Sequence, residues 1–197
     1  MYPSPQQAES LLCEAAAMNP GPWVQHSRVT ADCAKKIAQL CSGMDEEKAY
    51  VCGLLHDIGR RFGVTYMRHV IDGYHFLMEL GYDETARICL THSFSIPNIQ
   101  DYIGKVDVSE EGYLEILQLI ASYEYDDYDR LIQLCDSIAM PFGVADLETR
   151  MGDVKSRYGR YPQDKWDKHF EHKRYFEQKM GKNLYEVLDA DKALWGR

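Results

Sequence analysis

The chain has 197 residues, of which 45% are hydrophobic and 27% charged, and its formal net charge is −9. This composition is typical of a soluble globular protein and excludes disordered and fibrous classes. The acidic balance argues against a general nucleic-acid binder, because phosphate backbones require a basic surface. We therefore expect no nucleic-acid partner, and any phosphate that the protein handles should meet a local basic site.

The sequence shows no targeting or membrane segment. Its longest apolar runs are too short to span a bilayer, and the N-terminal MYPSPQQAES has neither the basic nor the apolar region of a secretory signal. We expect a cytoplasmic protein that does not bind membranes. No C-x-x-C pair is present, so reduced core thiols are favoured over a disulfide framework. The six cysteines are Cys13, Cys33, Cys41, Cys52, Cys89 and Cys135.

The pattern predicts one helix after another, with no convincing alternating strand and no internal repeat. Short segments rich in Gly, Pro, Asn or Asp separate these helices. The longest predicted loop, residues 95–112, is a candidate lid over a substrate. The fold class is therefore all-α, and we expect one domain over residues 1–197, because nothing is typical of a linker. The predicted helices cover about residues 5–18, 22–41, 45–58, 66–80, 83–93, 109–121, 127–141, 146–158, 164–180 and 182–193.

Several titratable side chains share a helix face with apolar residues. Positions three, four or seven apart lie on the same side of a helix. His26, for example, lies in line with Val29, Cys33 and Ile37. The same test places polar groups towards the core on five predicted helices. These groups are His26, His56, Asp57, His69, His92 and Asp136.

These six inward groups favour a metal centre. A single inward histidine is more often an ordinary buried side chain with a hydrogen-bond partner. Six such groups would need many dedicated partners, whereas one or two metal ions satisfy them together. Imidazole and carboxylate ligands without thiolate favour Fe, Mn, Zn, Ni or Co, and Mg at a carboxylate-rich position.

The other three histidines are predicted not to be ligands. His75 shares its helix face with charged residues, including Arg68 and Asp72, which is typical of a solvated position. His169 and His172 lie in a segment of mixed lysines, arginines and aromatic residues. Such a segment predicts an amphipathic surface helix.

The ordered set of inward groups resembles the ligand pattern of the HD-domain superfamily, a helical fold named for its paired His-Asp. Residues 56–59 have the sequence HDIG, a common form of that motif, and residues 69–73, HVIDG, match the family's H-x-x-x-G helix. The resemblance covers about residues 20–141, so residues 142–197 are expected to be accessory helices. It implies an HD-type helical bundle with a dinuclear centre of the extended pattern H…HD…H…H…D.

The resemblance also assigns the ligands to two metal ions, with Asp57 bridging them. Related phosphodiesterases often have a second consecutive histidine where this chain has Ser93. The second site therefore has one ligand fewer than in those relatives. The first ion would be held by His26, His56, Asp57 and Asp136, and the second by Asp57, His69 and His92.

The activity implied is that of a metal-dependent phosphohydrolase, which cleaves a phosphate ester or anhydride of a nucleotide or other small phosphorylated metabolite through a metal-activated hydroxide. Asp57 would bridge the ions and orient this nucleophile. Guanidinium groups bind phosphate oxygens in a bidentate manner, so Arg60, next to the motif, is a candidate catalytic residue. For each arginine, a surface salt bridge is an equal alternative. The candidate substrate-binding residues are Arg28, Arg60, Arg61, Arg68 and Lys105.

Two other functions remain open. Some superfamily members with the same ligand pattern are mixed-valent di-iron oxygenases that cleave C–C or C–P bonds. Others are sensing or interaction modules without catalysis. An iron-specific activity with oxygen uptake would indicate an oxygenase, and failure to bind any metal would favour the module.

The C-terminal segment, residues 142–197, carries no signature of its own. Its aromatic residues either pack inward or form a homodimer interface, and inward packing is the favoured interpretation. These aromatic residues are Trp166, Phe170, Tyr175 and Phe176.

Overall fold

The structure, a computed structural model, describes residues 1–195, which form ten α-helices, three short 3-10 helices and one antiparallel hairpin. The all-α prediction is confirmed. Among the described residues, no helix is both long and apolar enough to cross a membrane. The helices are α1 (Pro5–Met18), α2 (Pro22–Ala38), α3 (Glu46–Leu55), α4 (Arg68–Glu79), α5 (Asp83–Thr91), α6 (Glu110–Ser122), α7 (Asp127–Asp136), α8 (Leu147–Tyr158), α9 (Gln163–Met180) and α10 (Leu184–Val187). The 3-10 helices are Ile58–Phe62, Ile99–Asp101 and Lys192–Leu194, and the hairpin strands are β1 (Ala139–Met140) and β2 (Gly143–Val144).

Side-chain caps define the starts of the two helices that lead to His56 and Asp136. Asp45 accepts hydrogen bonds from two backbone N–H groups in the first turn of α3. Asp126 does the same in the first turn of α7. Each cap of this kind is worth about 1 kcal/mol. The caps therefore stabilise the two helices whose far ends carry these predicted ligands.

Two close approaches of backbone hold the chain around the HDIG sequence. A Cβ on Gly53 would lie 2.7 Å from the Cα of Ala31 in α2. A Cβ on Gly59 would lie 2.6 Å from the backbone N of Gly73 in α4 and still closer to the carbonyl oxygen of His69. Backbone atoms cannot swing aside as a flexible side chain can. Glycine is therefore required on both sides of the His-Asp pair for these helices to pack.

Buried apolar side chains form two clusters. The first lies mainly between α1, α3, α4, α5 and α6 and includes Leu54 and Leu77. The second lies mainly between α2, α7, α8, α9 and α10 and includes Ile37, Leu134 and Phe176. Helices α2, α3 and α5 contribute to both clusters. The C-terminal helices therefore extend the core that surrounds α2 and α7.

The aromatic residues of α9 pack inward. Phe176 is fully buried in the second cluster. Trp166, Phe170 and Tyr175 are partly buried against the same cluster. Their positions agree with the interpretation that was favoured from the sequence.

The prediction that residues 127–141 form one helix is wrong. Helix α7 ends at Asp136 and is followed by the hairpin β1–β2. Pro141 disfavours helical backbone at the residue before it. Gly143 has a φ of +138°, which residues with side chains rarely adopt. Because each strand has two residues, the hairpin is too short to produce a visible alternation in the sequence.

Two other predicted helices are shorter than expected. The predicted helix 45–58 ends at Leu55, immediately before the His-Asp pair, and the chain continues as a 3-10 helix. The predicted helix 182–193 contains only α10 and the last 3-10 helix. The bounds of the remaining helices agree with prediction to about one helical turn.

The interpretation of α9 as a surface helix around its histidines is also wrong. His169 and His172 are only 4% and 5% exposed. The Nε2 of His172 donates to the Oε1 of Gln133 in α7 at 3.1 Å. Lys165 on the same helix is buried as well. Histidine and lysine side chains can be buried when they have polar partners. In this chain the partners of His172 and Lys165 are Gln133 and Asp101, which lie far away in the sequence.

All six cysteines are free thiols, which agrees with the predicted lack of a disulfide framework. Five are buried, but Cys13 is exposed on α1, so the prediction of a core thiol is wrong there. Burial raises the pKa of Cys33 and of Cys52 to about 12. These thiols therefore stay protonated near neutral pH and are poor metal ligands.

We expect Gly59→Ala to lower the free energy of unfolding by at least about 3 kcal/mol, because its methyl group would meet backbone atoms of α4. The matched control is Gly152→Ala in α8, where a Cβ would have open space. That change should raise stability by about 0.5–1 kcal/mol. Urea denaturation of both variants makes the comparison. Equal stability of the two variants would contradict the close approach of the HDIG segment to α4.

Burial of His172 predicts a dependence of stability on pH. Burial, assisted by nearby Lys168 and Arg130, lowers the pKa of His172 from 6.5 to about 4. The unfolded chain takes up this proton near pH 6.5, whereas the folded chain takes it up only near pH 4. The free energy of unfolding should therefore fall as the pH falls through that window.

For metal-free protein, we expect His172→Gln to reduce the slope of unfolding free energy against pH by about 1.4 kcal/mol per unit within this window. Denaturation curves at several pH values would measure the slope. A variant with the slope of the unmodified chain would show that His172 titrates normally in the folded protein.

Candidate metal centre

Three of the six predicted ligands lie at the ends of helices. His56 directly follows α3, His92 directly follows α5, and Asp136 is the last residue of α7. The C-terminal end of a helix carries a partial negative charge that favours a cation. Three such ends in one place therefore favour a positively charged group between them.

All six predicted ligands come together in the structure. His26 lies in the second turn of α2, His69 lies in the first turn of α4, and Asp57 follows His56. They form three overlapping groups, and the ligand atoms within a group all lie within 4.8 Å of one another. The groups are His26–His56–Asp57, His56–His92–Asp136 and Asp57–His69–His92.

Backbone carbonyl groups orient all four imidazoles. The Nδ1 of each ring donates to a carbonyl oxygen, so Nε2 is the atom that can bind a metal when the ring is neutral. Metal-binding histidines usually make this second contact, because it fixes the tautomer and the ring orientation. The contacts are His26 with Ala139 (3.2 Å), His56 with Gly53 (2.7 Å), His69 with Tyr66, and His92 with Cys89 (2.8 Å).

Two atoms of the predicted ligands are buried and have no hydrogen-bond partner within residues 1–195. They are the Nε2 of His56 and the Oδ1 of Asp57. The first lies 3.7 Å from the Oδ1 of Asp136, and the second lies 3.1 Å from the Nε2 of His69. An unsatisfied buried polar atom costs about 1–3 kcal/mol. A metal ion between these atoms would remove that cost, so the residues present fit the metal that the sequence pattern indicates.

Most of the side chains have the protonation state that metal binding requires. Burial lowers the pKa of His56, and it lowers the pKa of His92 to about 3, so both imidazoles are neutral. Burial alone would raise the pKa of Asp57, but the nearby charge of Arg60 is the main influence that outweighs it and holds the carboxylate ionised. Neutral imidazoles and ionised carboxylates are the forms that bind metal ions.

His26 and Asp136 form an ion pair within this group. Their Nε2 and Oδ1 atoms lie 2.9 Å apart. Although burial lowers the pKa of His26, the hydrogen bond and charge of Asp136 outweigh it and raise that pKa. The same contact lowers the pKa of Asp136 despite its desolvation. A metal ion would therefore displace a proton from His26 when it binds.

Arg60 forms a hydrogen bond with one of the predicted ligands. Its Nε donates to the Oδ2 of Asp57 at 2.6 Å. The other carboxylate oxygen of Asp57 faces His69 and His92, at 3.1 and 3.6 Å from their Nε2 atoms. Because a carboxylate oxygen accepts more than one contact, Arg60 can orient Asp57 without blocking it.

The other predicted substrate-binding residues contact side chains outside the group of six ligands. A substrate role for these four residues stays a prediction. Arg28 pairs with Glu9 (2.5 Å), Arg61 lies over the ring of Phe76 (4.0 Å to its centroid), Arg68 pairs with Asp72 (3.1 Å), and Lys105 lies over the ring of Tyr66 (5.1 Å).

A cavity of about 130 Å³ adjoins His92 and Asp136. Its other walls come from residues 93–103, α8 and α9. None of its polar residues on α8 and α9 was predicted from the sequence. The sequence signal that could have identified two of these residues was the spacing of Lys165 and His169, which places both on one face of α9. The polar lining residues outside the six ligands include Ser93, Tyr102, Arg150, Tyr161, Lys165 and His169.

Lys165 holds the predicted lid segment against α9. Its Nζ donates to the Oδ2 of Asp101 at 3.1 Å and to the carbonyl oxygen of Ser93 at 2.8 Å. Both Lys165 and Asp101 are buried. Tyr102 follows directly and lines the cavity. This part of the predicted loop 95–112 is therefore a wall of the cavity, held by a buried ion pair.

Comparison with known proteins supports an HD-related domain. Residues 13–81 match the family model described as the HDOD domain, which is related to HD hydrolase domains and is often non-catalytic. The match covers about a third of the chain and includes the first four predicted ligands, but it ends before His92 and Asp136. No curated protein and no solved structure gave a significant match.

Metal content tests the assignment of the ligands. We expect Asp57→Asn to lose most of its bound metal, because Asp57 belongs to two of the three ligand groups. Elemental analysis of protein purified without chelator would give the number of ions per chain. The control is His75→Ala, because His75 is exposed and pairs with Glu115 away from the ligands (2.8 Å). Equal metal content in the two variants would mean that the site lies elsewhere.

Proposed function

We propose that this protein is a metal-dependent phosphohydrolase that acts on a nucleotide or another small phosphorylated metabolite. The observation that carries the proposal is the group of six His and Asp ligands beside a cavity that Arg150 and Lys165 line. Metal-dependent hydrolysis at phosphorus uses bound ions together with nearby cationic side chains to balance the charge of the phosphate. The family match over residues 13–81 supports the HD-related site.

We propose that the ligand groups would hold one or two divalent ions per chain, from among Fe, Mn, Ni, Co, Zn and Mg. When bound, such ions lower the pKa of a coordinated water and neutralise charge on phosphate oxygens. Asp57 lies in position to bridge two ions, because it shares one group with His26 and another with His69. The first ion would be held by His26, His56, Asp57 and Asp136, and the second by Asp57, His69 and His92.

The protein side chains control access to this centre. The side chain of Asp57 is 5% exposed, whereas that of Asp136 is 32% exposed. Asp136 and His92 also line the cavity. A phosphate group would therefore approach from the Asp136 side, while the surroundings of Asp57 exclude water. Arg60 keeps Asp57 ionised and oriented through its 2.6 Å contact.

Ser93 makes the proposed second site different from that of related phosphodiesterases. Its Oγ lies 3.0 Å from the Nε2 of His92. A hydroxyl group is a weaker ligand than the second histidine that related phosphodiesterases often have here. Three protein ligands would hold the second ion, which leaves coordination positions for water or a substrate phosphate. We therefore propose that the second site binds its ion more weakly than the first.

A metal-binding sensing module without catalysis is the second candidate. The observation that favours it is the match to the HDOD domain, since such domains are often non-catalytic. This module would bind metal through the same six ligands and would not turn over a phosphorylated compound. The two candidates therefore differ in turnover and agree on metal binding.

Anaerobic release of inorganic phosphate from a panel of nucleotides and phosphomonoesters tests the proposal. We expect metal-loaded protein to release phosphate. Asp57→Asn should reduce the rate by at least about 100-fold, because removing one group that stabilises the transition state raises the activation free energy by about 2.7–4 kcal/mol. His75→Ala should keep full activity. Bound metal without turnover would favour the sensing module, and oxygen consumption by an iron-loaded protein without phosphate release would indicate an oxygenase.

A further inference from the structure

The cavity beside Asp136 has the size of one small anion. Its volume is about 130 Å³. Pockets for larger ligands typically span about 300–1,000 Å³. A nucleobase or other large group would therefore lie outside the cavity, and a single phosphate group would fit within it.

Arg150 supplies a cationic group that is only partly used. Its side chain is 19% exposed, and its NH1 makes one long contact of 3.3 Å to Asp153. Asp153 is half exposed and has a shorter contact of 2.9 Å to Arg157. The Nε of Arg150 is buried and has no hydrogen-bond partner among the described residues. The guanidinium therefore retains donors for an anion in the cavity.

His169 supplies a neutral group in the same wall. It is buried in α9, and its Nδ1 has no hydrogen-bond partner among the described residues. Burial lowers the pKa of His169 well below its usual value, so the ring is neutral and carries one N–H. The ring packs against that of Tyr161, with 6.3 Å between centroids. An unsatisfied buried nitrogen beside a cavity indicates a bound partner.

Lys165 already has its partners. It pairs with Asp101 at 3.1 Å and donates to two backbone carbonyl oxygens. Its charge is therefore largely balanced by Asp101, and its main effect is to hold the wall of the cavity. This leaves Arg150 as the cation that can balance a bound anion.

We propose that this cavity binds one phosphate group of the substrate, with Arg150 donating charge-assisted hydrogen bonds and His169 donating a neutral one. The inference rests on the proposed function and makes it more specific. The C-terminal helices α8 and α9 would recognise the substrate, in place of the basic residues after the HDIG sequence. The substrate would be a small compound whose phosphate enters the cavity while its remaining part stays at the mouth.

Calorimetric titration of metal-loaded protein with inorganic phosphate tests this assignment. We expect Arg150→Gln to weaken phosphate binding by at least about tenfold, because it removes charge-assisted hydrogen bonds. His169→Gln should weaken it by a smaller factor, and Arg150→Lys should restore part of the affinity. The matched control is Arg157→Gln on the same helix, which removes an exposed arginine that shares Asp153. It should bind phosphate as the unmodified chain does, and all variants should keep the same metal content.

The inference would be overturned by a lack of phosphate binding at millimolar concentration, or by Arg150→Gln binding phosphate as tightly as the unmodified chain. These results are distinct from a failure of the proposed function. If no substrate is hydrolysed but phosphate binding depends on Arg150, the subsite is supported in a protein that senses phosphate compounds. If phosphate is released at unchanged KM by Arg150→Gln, the hydrolase is supported and the subsite is wrong.

Discussion

The close contact of residues 53–59, which include the HDIG sequence, with two neighbouring helices is the constraint on which the rest of the structure depends. Gly53 lies against the backbone of Ala31 in α2, and Gly59 lies against the backbone of Gly73 in α4. The His-Asp pair lies between these two contacts, and its partners His26 and His69 lie on the two helices contacted. A side chain at either glycine would separate the helices and move the imidazoles apart. The distances within the ligand group therefore follow from backbone packing, before any metal is considered.

The second constraint is the cost of burying the ligands. Four imidazoles and two carboxylates meet in this site, and two of their atoms have no hydrogen-bond partner among the described residues. Each unsatisfied atom costs about 1–3 kcal/mol. Replacing such groups with apolar side chains often stabilises a protein. The metal-free arrangement therefore carries a free-energy cost, which a bound ion would offset by binding only the folded chain.

The sequence allowed the clustering of the six candidate ligands to be predicted, because each lies in or next to a helix whose apolar face is visible in the residue spacing. His26 illustrates this, since its neighbours at three, seven and eleven positions onward are all apolar. The hairpin β1–β2 was not predictable in the same way, although its Ala139 carbonyl orients His26. The inward face of α9 was also missed. Lys165 is buried because Asp101 neutralises it, and that partner is 64 residues away.

The residues of the candidate site come from two parts of the chain, and this division bears on the function of the site. The segment that matches the HDOD domain, residues 13–81, supplies four of the ligands, whereas His92, Asp136 and most of the cavity wall lie beyond it. A protein that needed metal only to stabilise its fold would have no use for a cavity open to the ligands. Here Asp136 is both a ligand candidate and part of the cavity wall, and Arg150 lines the same cavity with an Nε that has no hydrogen-bond partner in the part of the chain that the structure describes. The cavity next to the candidate ligands is therefore the physical feature that connects the C-terminal helices with the HD-related segment.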